Sequence, residues 1–346
     1  MVGRSRLAAL IIGLSLALGA VAADNGKAPV KGVGEFETPD WFKVSFLNLP
    51  EDARAAEEAD KHLLLFWYQD GCPYCDRLIN RNFSQKRIAD YTREHFDVVA
   101  LNLWGSRDVT GLHGREMAER ALGRAMGVRF TPTVLFVDGD GAVVQRLNGY
   151  YPPRRFLAAL RYVAEGNADS MALSAYLKEN LGKRGKGQGP AKLIDEPFFA
   201  EPPFDLSEKD GPVAVFFEQP RCWNCRILHE NILAEGLTRN YMASFHAIQL
   251  DRWGNTPVVT PAGERLTAKE WADQLGIDYV PAIVLFNEGE EIIRMASMLR
   301  GFHVRSMLAY VATGAYWSYP RFQRYLQQRN EWLREWGITV DLWETD

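Results

Sequence analysis

The sequence contains the same short pattern twice: an apolar run that stops at two cysteines separated by two residues. The first instance begins at Phe66 and ends in Cys72-Pro-Tyr-Cys75, and the second begins at Phe216 and ends in Cys222-Trp-Asn-Cys225. The first cysteines of the two motifs are 150 residues apart, and the two motifs hold all four cysteines of the chain. This arrangement predicts two copies of one folding unit.

The residues around the motifs keep the same spacing in both copies. A Trp-Gly pair follows the first cysteine after 32 residues in copy one and after 31 in copy two, and a proline follows that tryptophan after 28 residues in both. A length of 346 residues also fits two domains of ordinary size. We therefore predict domain 1 at 23–181, a flexible glycine- and lysine-rich linker at 182–194, and domain 2 at 195–346.

Each copy alternates strand and helix patterns. The continuous apolar run from Leu63 to Tyr68 is typical of a central strand buried on both faces. Residues Asp76 to Tyr91 have helical spacing, Glu116 to Met126 predicts a second helix, and a hairpin and a closing helix follow. The predicted fold class is α/β, with a central mixed β-sheet flanked by helices in each domain and an extra helix at each domain's C-terminal end. The polar segment Lys27 to Thr38 predicts a mobile lead-in.

The first 22 residues have the pattern of a cleaved secretory signal peptide. Arg4 and Arg6 precede a short apolar run, and Ala20-Val-Ala22 supplies the small residues that signal peptidase recognises. The run is short for a membrane span, and an uncleaved anchor is the alternative. We therefore expect a periplasmic protein with no stable membrane span after cleavage. A formal net charge of -4 and the lack of a long basic patch argue against a nucleic-acid partner.

The two motifs have the composition of thiol–disulfide exchange sites. A cysteine at a helix start lies where unpaired backbone N–H groups and the helix dipole favour the thiolate, which is the nucleophile. A second cysteine one turn later can attack the resulting mixed disulfide. We predict Cys72 and Cys222 as nucleophiles and Cys75 and Cys225 as resolving thiols. Zinc binding and static disulfides are the alternatives, but a bridge that closes so small a loop removes little chain entropy.

A buried strand that ends in Cys-x-x-Cys, a following helix and a proline that opens a hairpin about 60 residues later resemble the thioredoxin superfamily, here in two copies. The resemblance implies that Pro132 and Pro281 follow cis peptide bonds and face the dithiols. With the preceding Thr131 and Val280, they would form loops whose backbone pairs with a substrate strand. Within the superfamily, the Trp-Gly pair and the Tyr-Val-x-x-Gly tail of each copy are similar to SoxW-type periplasmic thioredoxins.

The chain departs from the usual thioredoxin pattern next to the cysteines. Typical thioredoxins have a buried aspartate six residues before the first cysteine, whereas this chain has Phe66 and Phe216 there. The usual proton acceptor for the resolving thiol is therefore missing. Asp70 and Glu218 are nearby carboxylates that could replace it, although charges exposed at the rim of the site are the preferred interpretation. Arg221, next to Cys222, would favour its thiolate.

These features predict an exported protein-disulfide oxidoreductase with two dithiols. Its expected partners are exported proteins with thiols or disulfides and a membrane-bound or soluble electron donor or acceptor. We expect no cofactor and no bound metal. Copper handling through the thiolates is a third hypothesis, but neither motif has the methionine or histidine clusters near it that would support copper binding. The finer expectation is a role in sulfur oxidation or in cytochrome and disulfide maintenance. The alternative is a thioredoxin-fold binding or scaffold protein in which one or both cysteine pairs are structural disulfides.

Overall fold

The computed structural model describes residues 26–181, 189–298 and 300–343. The predicted signal peptide, 1–22, and the first seven residues of the predicted linker, 182–188, lie outside the described residues. No helix among the described residues combines the length and hydrophobicity needed to cross a membrane.

Domain 1 is built on a four-stranded mixed sheet in the order β3-β2-β6-β7. Strand β2 (His62–Tyr68) is parallel to β3 (Phe96–Asn102) and antiparallel to β6 (Thr133–Val137), which is antiparallel to β7 (Val143–Asn148). The predicted central strand is β2, and residues 63–67 of it are completely buried. Its apolar run is explained by its position, because helices cover both faces of the sheet.

Domain 2 repeats this topology strand for strand. Its sheet has the order β10-β9-β13-β14, with the motif-bearing strand β9 (Val213–Glu218) parallel to β10 (His246–Asp251) and antiparallel to β13 (Ala282–Asn287). Strand β14 (Glu290–Met295) completes the hairpin at the edge. The tandem repeat and its α/β class are therefore confirmed.

Helices flank both sheets and close each domain. Those of domain 1 are α1 (Leu49–Glu58), α2 (Pro73–Arg77), α3 (Lys86–His95), α4 (Glu119–Ala125), α5 (Pro153–Ala164) and the extra helix α6 (Leu173–Leu181). Those of domain 2 are α7 (Trp223–Ile227), α8 (Gly236–Met242), α9 (Ala268–Gln274), α10 (Gly301–Ala312), α11 (Ala315–Ser318) and the extra helix α12 (Phe322–Glu335).

Two kinds of predicted helix differ from the structure, each in both copies. The helix after each motif is not continuous: α2 and α7 pass into π-helical segments at Leu78–Phe83 and Leu228–Leu233, and a break precedes α3 and α8. The predicted helix from Glu116 begins instead with a short strand, β5 (Glu116–Ala118), which pairs with β4 (Asp108–Thr110). Copy two has the same device, with β12 (Arg265–Thr267) paired with β11 (Pro257–Val259), and β11 also pairs with β8 (Phe204–Asp205).

The predicted mobile lead-in is instead paired with the far end of the chain. Strand β1 (Val30–Lys31) lies parallel to β15 (Val340–Asp341), and Gly34 forms an isolated bridge with Gly71. The Gly34 N–H donates to the carbonyl oxygen of Gly71 at 3.1 Å. The prediction of mobility was wrong because composition cannot show that a backbone partner exists elsewhere in the sequence.

The closing helix of each domain contacts the other domain at its Trp-Gly pair. The Arg324 guanidinium of α12 lies 4.1 Å from the ring centroid of Trp104 in domain 1, and the Lys178 ammonium of α6 lies 3.9 Å from that of Trp253 in domain 2. Phe130 also packs on Phe322 across the interface, with ring centroids 5.7 Å apart. The extra helices therefore join the two domains reciprocally through cation–π contacts.

Candidate active sites

In domain 1 the two cysteines lie at the N-terminus of α2 and are joined as a disulfide. Cys72 is the N-cap residue, and its Sγ accepts a hydrogen bond from the backbone N–H of Cys75 at 3.1 Å. A sulfur in this position satisfies one of the N–H groups that a helix start leaves unpaired, and the same bond strengthens when the sulfur carries negative charge. Pro73 follows at the first helical position, where its missing N–H has no cost.

The loop facing this disulfide is the predicted proline loop. The Thr131–Pro132 peptide bond is cis, and the Thr131 carbonyl oxygen lies 3.5 Å from Cys72 Sγ. The hydroxyl oxygen of Thr131 is buried and has no hydrogen-bond partner among the described residues. The fold thus brings the predicted nucleophile and the predicted substrate loop of this copy together.

Domain 2 repeats the arrangement. Cys222 is the N-cap residue of α7 and forms a disulfide with Cys225, whose backbone N–H donates to Cys222 Sγ at 3.0 Å. The Val280–Pro281 bond is also cis. Val280 belongs to the same buried cluster as Cys222 and Cys225, so the cysteines and the cis bond of this copy also lie in one region of the domain.

A glutamine before each motif ties it to the Trp-Gly pair. The Trp104 indole N–H donates to Gln69 Oε1 at 2.9 Å, and the Trp253 indole N–H donates to Gln219 Oε1 at 3.0 Å. Each glutamine lies three residues before the first cysteine. Sequence reasoning noted both tryptophans but missed this link, whose signal is the glutamine repeated at the same place in both motifs.

The expectation that Glu218 is an exposed rim charge is wrong. Its side chain is buried at the end of β9 and its Oε1 lies 2.9 Å from Nε2 of His229, which is also buried. The other ring nitrogen of His229 lies 3.1 Å from Glu196. Burial alone would lower the pKa of His229, but the hydrogen bonds and charges of the two carboxylates outweigh it and raise that pKa above its ordinary value.

This buried acid–base pair is specific to domain 2. Tyr68 and Ile79 hold the equivalent positions in domain 1, and Asp70, the other carboxylate considered, is exposed. The described residues contain no group of three or more histidines, cysteines, aspartates or glutamates arranged to hold a metal ion.

The two motifs also differ in exposure. All four residues of Cys72-Pro-Tyr-Cys75 are buried, whereas in the second motif Trp223 and Asn224 are exposed and only the cysteines are buried. The Trp223 ring is 44% exposed, and the Arg226 guanidinium lies over it at 4.0 Å. Although the two motifs have matching backbones, the first is buried, whereas the two central residues of the second lie at the surface.

Comparison with solved structures finds similar proteins, three of which cover between 33% and 38% of this chain. A thioredoxin-fold protein from Helicobacter pylori is 26% identical and covers 38% of this chain and 98% of its own, with a TM-score of 0.32. A thioredoxin from Thermus thermophilus is 25% identical over 36% of this chain and 90% of its own, with a TM-score of 0.30. The C-terminal domain of DsbD from Neisseria meningitidis is 19% identical and covers 33% of this chain and 90% of its own, with a TM-score of 0.25.

No curated protein sequence matches the chain significantly. The family model described as thioredoxin-like domain matches twice, at residues 49–164 and 205–312, and the two matches together span well over half of the chain. Each match contains one complete four-stranded sheet and one Cys-x-x-Cys motif. The protein therefore belongs to the thioredoxin-like domain family, with one such domain in each half of the chain.

Proposed function

We propose that this protein is an exported thiol–disulfide oxidoreductase that acts on disulfides of other exported proteins. The observation that carries the proposal is the repeated geometry in which the first cysteine caps a helix and accepts the N–H of the second cysteine, with a cis-proline loop in each domain. In domain 1 that loop lies 3.5 Å from Cys72 Sγ, and in domain 2 Val280 shares a buried cluster with Cys222 and Cys225. Both features favour chemistry at the first sulfur, because the helix start stabilises a thiolate and the loop offers backbone groups to a substrate strand.

The geometry fits a two-step exchange. In the reducing direction, the Cys222 thiolate attacks one sulfur of a substrate disulfide, forms a mixed disulfide and releases the other substrate sulfur as a thiolate. Cys225, once deprotonated, then attacks the Cys222 sulfur and releases the second substrate thiolate. The protein's dithiol has become a disulfide, and the substrate has gained two electrons. The reverse sequence oxidises a substrate dithiol, and Cys72 with Cys75 would act in the same way.

This proposal also includes a periplasmic localisation. It further includes a role in sulfur oxidation or in cytochrome and disulfide maintenance. They rest on the N-terminal sequence pattern and on the SoxW-like motifs. The second candidate is a scaffold role in which one pair is a structural disulfide. The complete burial of the Cys72 motif favours this alternative for copy one.

The test is the redox potential of each dithiol. The mature protein and its Cys72→Ser/Cys75→Ser and Cys222→Ser/Cys225→Ser variants would be equilibrated in glutathione or dithiothreitol buffers, and free thiols counted by mass spectrometry. Catalytic pairs should titrate reversibly between about -120 and -270 mV. A pair that stays oxidised below about -300 mV would have the potential of a structural disulfide and would remove that domain from the mechanism.

A further inference from the structure

The cover over the first dithiol comes from the other domain. A narrow cleft of about 50 Å³ beside Cys72 is lined on one side by Thr131 and Tyr74 and on the other by the domain 2 segment 294–298. The approach is close: a Cβ built on Gly149, beside the proline loop, would lie 2.3 Å from Ser297 Oγ. This face of the site therefore has no room for a substrate strand while the segment is in place.

A second part of the cover is supplied by the C-terminal tail. The Trp343 ring packs edge-on against Tyr74, with centroids 4.9 Å apart, and the Arg77 guanidinium lies 3.8 Å from the indole centroid. The tail is held there by the pairing of β15 with β1. On the inner side, Tyr74 lies 3.3 Å from Nδ1 of His303 in α10.

Among the residues that the structure describes, the second dithiol has no equivalent cover on its exposed side. Residues 189–190 pack on the backbone of the motif: a Cβ built on Gly189 would lie 2.5 Å from the Cys222 carbonyl oxygen, and the Arg221 N–H donates to the Pro190 carbonyl oxygen at 2.7 Å. Trp223, which replaces Pro73 in the motif, and Asn224, which replaces Tyr74, remain exposed. Asn224 instead turns one donor inward to the Tyr279 hydroxyl at 2.9 Å.

We propose that the two dithiols have different access to protein partners. Cys222 and Cys225 form the outward site that meets a partner's disulfide or dithiol directly. Cys72 and Cys75 form a closed site that exchanges with a partner only after segment 294–298 and Trp343 move away. The exchange with partners rests on the proposed function. The difference in accessibility between the two cysteine pairs can be measured without any catalytic assay.

The measurement is differential alkylation of the full chain after reduction by a small phosphine. Each cysteine is labelled under native conditions with N-ethylmaleimide or with a bulky polyethylene-glycol maleimide, and the products are quantified by mass spectrometry. At each cysteine, the labelling rate with the bulky maleimide is divided by the rate with N-ethylmaleimide. The intrinsic reactivity of the thiolate cancels in this ratio. We expect this ratio to be at least about tenfold lower at Cys72 than at Cys222, because the contacts of Trp343 with Tyr74 and Arg77 must open first.

Two tryptophan variants test the cover itself. Trp343→Ala should raise the Cys72 ratio by about tenfold through loss of the Tyr74 and Arg77 contacts and leave Cys222 unchanged. Trp336→Ala, in the same tail but with a ring that is 75% exposed, is the matched control and should change neither. The unchanged Cys222 ratio also shows that a variant is folded.

Equal ratios at Cys72 and Cys222 in the unaltered protein would overturn the inference. The inference would also be overturned if Cys72 and Cys75 of the Trp343→Ala variant were as protected from the bulky maleimide, or as resistant to the phosphine, as they are in the unaltered protein. Failure of the proposed function gives a different result, because structural potentials would appear in the redox titration whatever the labelling ratios are.

Discussion

Acidification should destabilise the closed interface around Tyr74, and His303 should be the cause. His303 lies between the domains against Tyr74, and burial, helped by the positive charge of Arg300, lowers its pKa to about 4. Burial also raises the pKa of Tyr74. At neutral pH the phenol is therefore protonated and the imidazole neutral, and the Tyr74 hydroxyl and Nδ1 of His303 form a hydrogen bond.

The sign and size follow from the difference between the closed and the solvent-exposed histidine. An exposed imidazole has a pKa near 6.5, so between about pH 6.5 and 4 it binds a proton that the enclosed one does not, and stability falls as the pH falls. A gap of about 2.5 units corresponds to roughly 3 kcal/mol, of which about 2.5 kcal/mol should be lost by pH 4.5. Above pH 7 the contribution is fully present and constant.

The assay compares the wild type with His303→Gln, which keeps a hydrogen-bonding group of similar reach but does not titrate. Free energies of unfolding from urea titrations at pH 7.5 and 4.5 would be measured for both proteins. The other titrating groups contribute equally to both and cancel in the comparison. The wild type should lose about 2 to 3 kcal/mol more than the variant on acidification. Identical losses would refute the argument that His303 is held neutral by its enclosure.

Three further predictions concern other described contacts. Glu218→Gln should cost domain 2 about 3–5 kcal/mol at pH 6, because the protonated partner histidine loses a buried counter-charge. The cost should shrink as the pH rises through the raised pKa of His229, and urea titrations at pH 6 and 9 with equal costs would contradict this. Thr131→Val should leave the free energy of unfolding unchanged or raise it by about 1 kcal/mol, since the lost hydroxyl has no hydrogen-bond partner among the described residues; a clear loss in thermal unfolding would contradict this. Arg324→Ala should weaken domain docking by about 1 kcal/mol through loss of the Trp104 contact, seen as faster proteolysis between the domains, with unchanged proteolysis as the contrary result.

The fold was predictable because its signals are local and occur twice. The apolar run of β2 and the cysteines after it specify a buried strand followed by a helix, and a repeat at 150 residues fixes the domain number. Local patterning failed where a short strand precedes a helix, as at Glu116, because three residues carry too little periodicity to distinguish the two.

The positions of the candidate site residues could be predicted from the sequence, but their surroundings could not. Cysteine spacing identified the sulfurs, and the resemblance identified the loops around Pro132 and Pro281. The burial of Glu218 and the role of Trp343 depend on partners that are 11 and 269 residues away in sequence, respectively, and no periodicity reports such distances. A single charged residue at a strand end has the same local appearance whether solvent or a histidine lies beside it.

The pairing of β1 with β15 brings the first and last described strands of the protein together. Enclosure of the first dithiol therefore depends on residues that are synthesised late. Protein chains are made from the N-terminus, and domains generally fold as units in that order. Domain 1 contains its cysteines, its proline loop and its whole sheet by residue 148, but segment 294–298 and Trp343 are still to be synthesised. If domain 1 folds before the rest of the chain is in place, its cysteines are uncovered until segment 294–298 and Trp343 arrive.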